Sequence, residues 1–128
     1  MGSGKREPAT VRDVMSSDVV SVAPSATVAE AATVMGRRRV GSALVLEDAR
    51  CVGIFTERDI VSALAADFDA PGQPVSHWMT TDPATVDPGV GVREALEQML
   101  AAGYRHLPVV EGEKTIGIVS IRDLAGGV

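Results

Sequence analysis

The chain has 128 residues, 45% of them apolar, and seventeen acidic against twelve basic side chains give it a net charge of −5. That length holds one compact domain with a filled core, and the acidic balance repels nucleic-acid phosphates, so nucleic-acid binding is not expected. The lone cysteine, Cys51, leaves no internal disulfide and fits a reducing cytoplasm, and no apolar run nears the roughly 20 residues that span a bilayer, so no membrane partner is expected.

Residues 1–9 are polar, carry Gly, Ser and Pro, lack the apolar middle of a signal peptide, and read as a flexible segment. "VRDVM" then predicts a short opening helix, and "VVSV" a brief strand that ends at a proline turn. "TVAEAATVMGRR" places Val, Ala and Met at helical spacing. "ALVLEDARCVGIF" is two apolar runs parted by polar turn residues, the pattern of a β-hairpin, and a closing helix starts at Thr56. After a linker at 67–74 the order returns: "VSHWM", "PATV", "GVREALEQMLAA", "LPVVEGEKTIGIV" and a helix from Ser120.

Sliding the sequence on itself by 64 residues aligns Val11 with Val75, Met15 with Met79, Pro24 with Pro88, Met35 with Met99, Gly53 with Gly117 and Asp59 with Asp123, without a gap. The chain is therefore two copies of one β-α-β-β-α unit, at 10–66 and 75–126, and the fold class is α+β. A unit of about 50 residues is near the lower limit for a self-sufficient core. The two should share one core, packed sheet to sheet about a pseudo-two-fold axis, with two equivalent clefts between them.

Each copy ends in Gly, an apolar pair, a hydroxyl and an aspartate: "GIFTERD" and "GIVSIRD". Spacing alone permits a helix capping box. Three features favour a ligand: the box prefers the longer Glu or Gln, Asp recurs in both copies, and the glycine leaves room for a ligand near the backbone. A carboxylate at a helix start can accept from both hydroxyls of a ribose, and the apolar pairs that begin with Ile54 and Ile118 offer a wall for a base.

With its tandem unit and both terminal motifs, the chain from about Thr10 to Ala125 resembles a pair of cystathionine-β-synthase-type (CBS) domains. The resemblance implies an adenosine-type ligand such as AMP, ADP or ATP, with Thr56/Asp59 and Ser120/Asp123 holding ribose. It also implies that base and phosphates meet the other copy, which puts Val40, Gly41 and Ser42 opposite Asp123, and Tyr104, Arg105 and His106 opposite Asp59. Ser25 and Gly89 fall at the turns before the long helices. It implies further a homodimer, for which Val61, Leu64, Leu96 and Leu100 supply apolar surface.

In "GRRRV", the arginines from Arg37 to Arg39 read as a solvated helix end or as a phosphate grip, with Arg39 nearest the cleft. His77 and His106 stand too far apart for a metal set. Trp78 and Met79 read as packing, and Cys51 as structural. No nucleophile-base or phosphate-loop motif appears, so the chain is not expected to be an enzyme and needs no cofactor. The expected function is a stand-alone regulatory module that binds an adenosine compound and modulates an effector protein. The alternative is an interaction domain with unused clefts that acts through dimerisation.

Overall fold

In the computed structural model, which describes residues 9–127, each repeat is built around one hairpin. The elements are α1 (Val11–Val14), β1 (Ser21–Val22), α2 (Val28–Arg38), β2 (Ser42–Glu47), β3 (Arg50–Thr56), α3 (Glu57–Ala66), β4 (Thr80–Thr81), α4 (Val92–Ala102), β5 (His106–Glu111), β6 (Lys114–Ser120) and α5 (Ile121–Gly127). Single 3-10 turns at Ala70–Gly72 and Val75–His77 join the halves. The fold is thus α+β with two pseudo-symmetric repeats, as expected.

The hairpins are alike in detail. β2 pairs antiparallel with β3, and β5 with β6. Each has a bulge at the same place, after Val45 and after Val109, which leaves Val52 and Ile116 as the extra residues. β1 runs parallel to β2, and the bridge from Val86 to Val109 repeats that pairing in the second copy. The long helices also differ in one place. α2 ends on Arg39 in the left-handed region, φ 55°, where α4 ends on Gly103, φ 79°.

The repeats exchange their leading segments. β4, from the second repeat, adds to the edge of β3 in the first, and Ser16 of the first pairs with Ile118 in β6 of the second. The exchange is reciprocal bond by bond: Val75 N–H donates to Ala26 at 2.8 Å and Val11 N–H to Val90 at 2.9 Å. Val28 N–H donates to Gln73 at 2.9 Å, and Val92 N–H to Ala9 at 3.0 Å. A strand edge left open by one repeat is therefore covered by the other.

This exchange corrects the expectation of one shared core. Among the described residues there are two clusters: Val20, Val28, Met35, Val45 and Phe55 close around Val75 of the other repeat, and Val92, Met99, Leu107, Val119 and Leu124 close around Val11. Each half-size core becomes sufficient because it borrows an apolar segment, and β3 and β6 meet between the two. Trp78 and Met79 pack on the first cluster, as expected. The linker is built rather than slack. Asp67 accepts from Asp69 N–H at 2.8 Å and Gln73 Nε2 at 2.6 Å, which holds its carboxyl below the usual range, and Gln73 Oε1 accepts from Trp78 Nε1 at 2.9 Å. Of the N-terminal segment expected to be flexible, residues 1–8 lie outside those described.

Candidate ligand-binding site

Thr56 and Ser120 each end a strand and start a helix, so their backbone N–H groups and those of the next turn lack intrahelical partners. At the first motif, Asp59 Oδ2 accepts from Thr56 N–H at 2.9 Å and Thr56 Oγ1 at 3.1 Å, and Asp59 N–H donates back to Thr56 Oγ1 at 3.3 Å. At the second, Asp123 Oδ2 accepts from Ser120 N–H at 3.0 Å, and Asp123 N–H donates to Ser120 Oγ at 3.0 Å. These are capping boxes. The preference for the longer Glu or Gln, weighed above against a capping box, does not exclude Asp here: at Thr56 the extended backbone brings the N–H within its reach. In both motifs only Oδ2 is used, and Oδ1 has no hydrogen-bond partner among the described residues.

Both aspartates are half-buried. Burial pushes the Asp59 carboxyl above its usual value, against the pull of the Thr56 backbone and hydroxyl bonds and of Arg58. A carboxylate held dehydrated in this way gains more than an exposed one from new hydrogen-bond donors.

The glycines have a different role from the one expected. A Cβ at Gly53 would run into Met79 and come within 3.0 Å of the Thr80 carbonyl oxygen, and one at Gly117 would fall 2.7 Å from the Ser16 carbonyl oxygen. The space is taken by the exchanged segment of the other repeat, not kept for a ligand. The apolar pairs also divide. Phe55 and Val119 are fully buried in the two cores, and alternation turns Ile54 and Ile118 to the opposite face of their strands.

In the backbone ladder the hairpin entries lie beside the motif of their own repeat. Ser42, buried, pairs with Thr56, and Glu57 N–H donates to Gly41 at 3.0 Å, with Val40 just before. His106 pairs with Ser120, and Ile121 N–H donates to Arg105 at 3.1 Å. The charged surroundings of His106 span both repeats. Burial lowers its imidazole below the ordinary value, Asp123 of its own repeat and Glu57 of the other pull it upward, and Arg105 presses it down. Tyr104 and Arg105 are exposed at the rim. Ser25 and Gly89 are exposed at the turns before α2 and α4.

Glu57 was missed by sequence reasoning. Its carboxylate lies 3.5 to 3.7 Å from where a Cβ of Gly41 would stand, and it opens α3 directly after Thr56. The only signal was an acid in the first turn of a helix, which is too common to single out. Arg39 lines a groove of about 450 Å³ with Val40 and Glu57, whereas Arg38 is drawn aside to Asp18 at 2.6 Å. Cys51 donates to the Gly53 carbonyl at 3.3 Å, and burial raises its thiol, which suits a structural residue. Among the described residues no group of His, Cys, Asp or Glu is arranged to hold a metal, and no helix is long and apolar enough to cross a membrane.

The family model described as CBS domain matches this chain twice, over residues 11–66 and 75–127. A 17.7 kDa protein of Acidianus ambivalens is 44% identical over 118 residues, which cover 90% of this chain and 70% of the relative. A CBS-domain containing protein from Agrobacterium tumefaciens has the same fold with a TM-score of 0.86 and 32% identity, over 92% of this chain and 98% of that one. CBSX2, solved in complex with AMP, gives a TM-score of 0.81 and 25% identity, over 92% of this chain and 94% of that one.

Proposed function

The chain belongs to the CBS-domain family, and from that premise we propose that it is a regulatory module which binds an adenosine-containing ligand between its repeats and thereby changes its association with an effector protein. The observation that carries this reading is the pair of half-buried aspartates, each with one carboxylate oxygen spent on its helix cap and the other without a hydrogen-bond partner among the described residues. The free oxygen has the chemistry to accept from a ribose hydroxyl while the cap holds the side chain still. CBSX2, of the same fold, is a complex with AMP. We place the ribose at Asp59 and Asp123, the base against Ile54 and Ile118, and the phosphates toward Arg39, Arg105 and His106. In this reading the capping boxes are part of the site: they orient the carboxylates.

The chain also pairs with itself in this proposal. Val61, Leu64 and Leu100 are 67%, 52% and 61% exposed on α3 and α4, apolar surface that a second copy would cover. Leu96 is excluded from that surface because it packs on its own core.

A thermal-shift panel of AMP, ADP, ATP, NAD and S-adenosylmethionine tests the ligand class. A ligand present at about 100 times its dissociation constant stabilises the fold by roughly 2.7 kcal/mol. At least one adenosine compound is expected to raise the midpoint, and no shift with any of them would refute the reading.

A further inference from the structure

An acid and an imidazole break the symmetry of the repeats where the hairpin entries meet the capped helices. The 64-residue shift sets Ser42 against His106 and Glu57 against Ile121, so the second repeat carries the imidazole and the first carries the acid. His106 pairs with Ser120 across the β5 and β6 ladder, and Ser120 Oγ accepts from Asp123 N–H at 3.0 Å, which sets the imidazole beside the second capping box. Glu57 is fixed from the other repeat. Its N–H donates to Gly41 at 3.0 Å, its charge acts on His106, and it is in no ion pair among the described residues. At the symmetry-related place stand Ser42 and Ile121, neither of which titrates near neutral pH.

Asp123 from α5, Glu57 from α3 and Arg105 from the segment before β5 are the charged groups that act on the half-buried His106, and Ser120, which faces it from β6, is neutral. With the imidazole neutral, a phosphate brought to it meets two carboxylates and, from this side, only the rim guanidinium of Arg105. A proton on the imidazole replaces that repulsion with a charge-assisted hydrogen bond. We propose that His106 couples ligand binding to proton uptake: a phosphorylated adenosine compound binds together with a proton from solvent, which settles on the His106 imidazole and gives it a charge-assisted bond to the phosphate. The only covalent bond formed is that N–H. Burial disfavours the charged imidazole in the free chain, so the site stays neutral until the anion arrives. The module then responds to acidity and nucleotide jointly, through one of its two junctions. The inference rests on the placement of phosphates proposed above and adds its regulation.

The test is calorimetry on the full chain with AMP and with adenosine, at about pH 8 and about pH 6.5, an interval in which AMP stays mostly a dianion because its second phosphate ionisation lies at about 6. The parent is expected to bind AMP about threefold or more tightly at the lower pH and adenosine equally at both. Repeating the AMP titration in two buffers of unlike ionisation enthalpy should show net proton uptake. His106→Gln is expected to remove both the tightening and the uptake. Glu57→Gln takes away one of the facing carboxylates, so it should keep the uptake and bind AMP more tightly than the parent at about pH 8. Circular dichroism at both pH values checks that the variants are folded. An AMP affinity that ignores pH, or equal tightening of AMP and adenosine, would overturn the coupling and leave the ligand site standing. Uptake that survives in His106→Gln but is lost in Glu57→Gln would move the proton to Glu57 and overturn the proposal. Binding of neither compound at either pH would refute the ligand site itself, and the coupling with it.

Discussion

Gly117 of the second repeat lies against Ser16 of the first, so close that a Cβ on it would be 2.7 Å from the Ser16 carbonyl oxygen. Ser16 and Ile118 exchange backbone hydrogen bonds there, 2.9 and 3.0 Å, and Gly53 stands in the same relation to Met79 and Thr80. The glycine of each terminal motif is thus a joint between repeats. Gly117→Ala and Gly53→Ala should each cost about 1–3 kcal/mol through overpacking. Chemical denaturation measures the loss, and the folded fraction should keep its AMP affinity. Unchanged stability with lost affinity would return the glycines to the ligand.

Asp59→Asn separates the cap from the carboxylate. Asn keeps an acceptor for the Thr56 N–H, and it removes a charge whose burial holds the folded pKa above 3.8. With the folded value raised, the stabilisation given by the protonated group is full below 3.8 and lost as pH rises through the folded value, so a side chain neutral at every pH avoids that loss. At neutral pH the variant should be at least as stable as the parent, yet bind AMP about tenfold more weakly. Retained affinity in calorimetry would reduce Asp59 to a helix cap.

His106 makes stability depend on pH. Its imidazole is lowered from 6.5 mainly by burial, so between the folded value and 6.5 the unfolded chain binds more protons than the native one. Stability should be full above 6.5 and fall as pH drops below it, seen as a lower urea midpoint at about pH 5.5 than at about pH 7.5. His106→Gln should flatten that interval, and an equal slope in parent and variant would assign the dependence to other groups.

Arg39 is held at φ 55° where the second repeat has Gly103. Arg39→Gly should relieve the left-handed strain and raise stability by about 1 kcal/mol. If its guanidinium meets phosphate, the same change weakens AMP binding and spares adenosine. Equal losses for both ligands would remove Arg39 from the phosphate end.

The repeat, its element order and the terminal motifs were legible in sequence because periodicity and a gapless shift report them directly. The exchange of leading segments was not, since Val11 and Val75 look alike whichever core they enter. Neither was the capping geometry: Thr10 and Asp13 form the same box at 2.8 Å in α1, so hydroxyl-x-x-Asp alone does not mark a ligand site. What distinguishes Thr56/Asp59 and Ser120/Asp123 is that they are partly buried where Thr10/Asp13 is exposed, a property of the packing. The motif glycine carried a true signal of close approach, but sequence does not say what approaches.

The central claim is that two carboxylates hold the diol of an adenosine ligand, and it is tested most directly on the unaltered protein by calorimetry with AMP and its 2′,3′-dideoxy analogue. Loss of both hydroxyls leaves a partly buried carboxylate oxygen without a donor, so the analogue is expected to bind about tenfold or more weakly, roughly 1.4 kcal/mol. Equal affinity for the two compounds would contradict the claim.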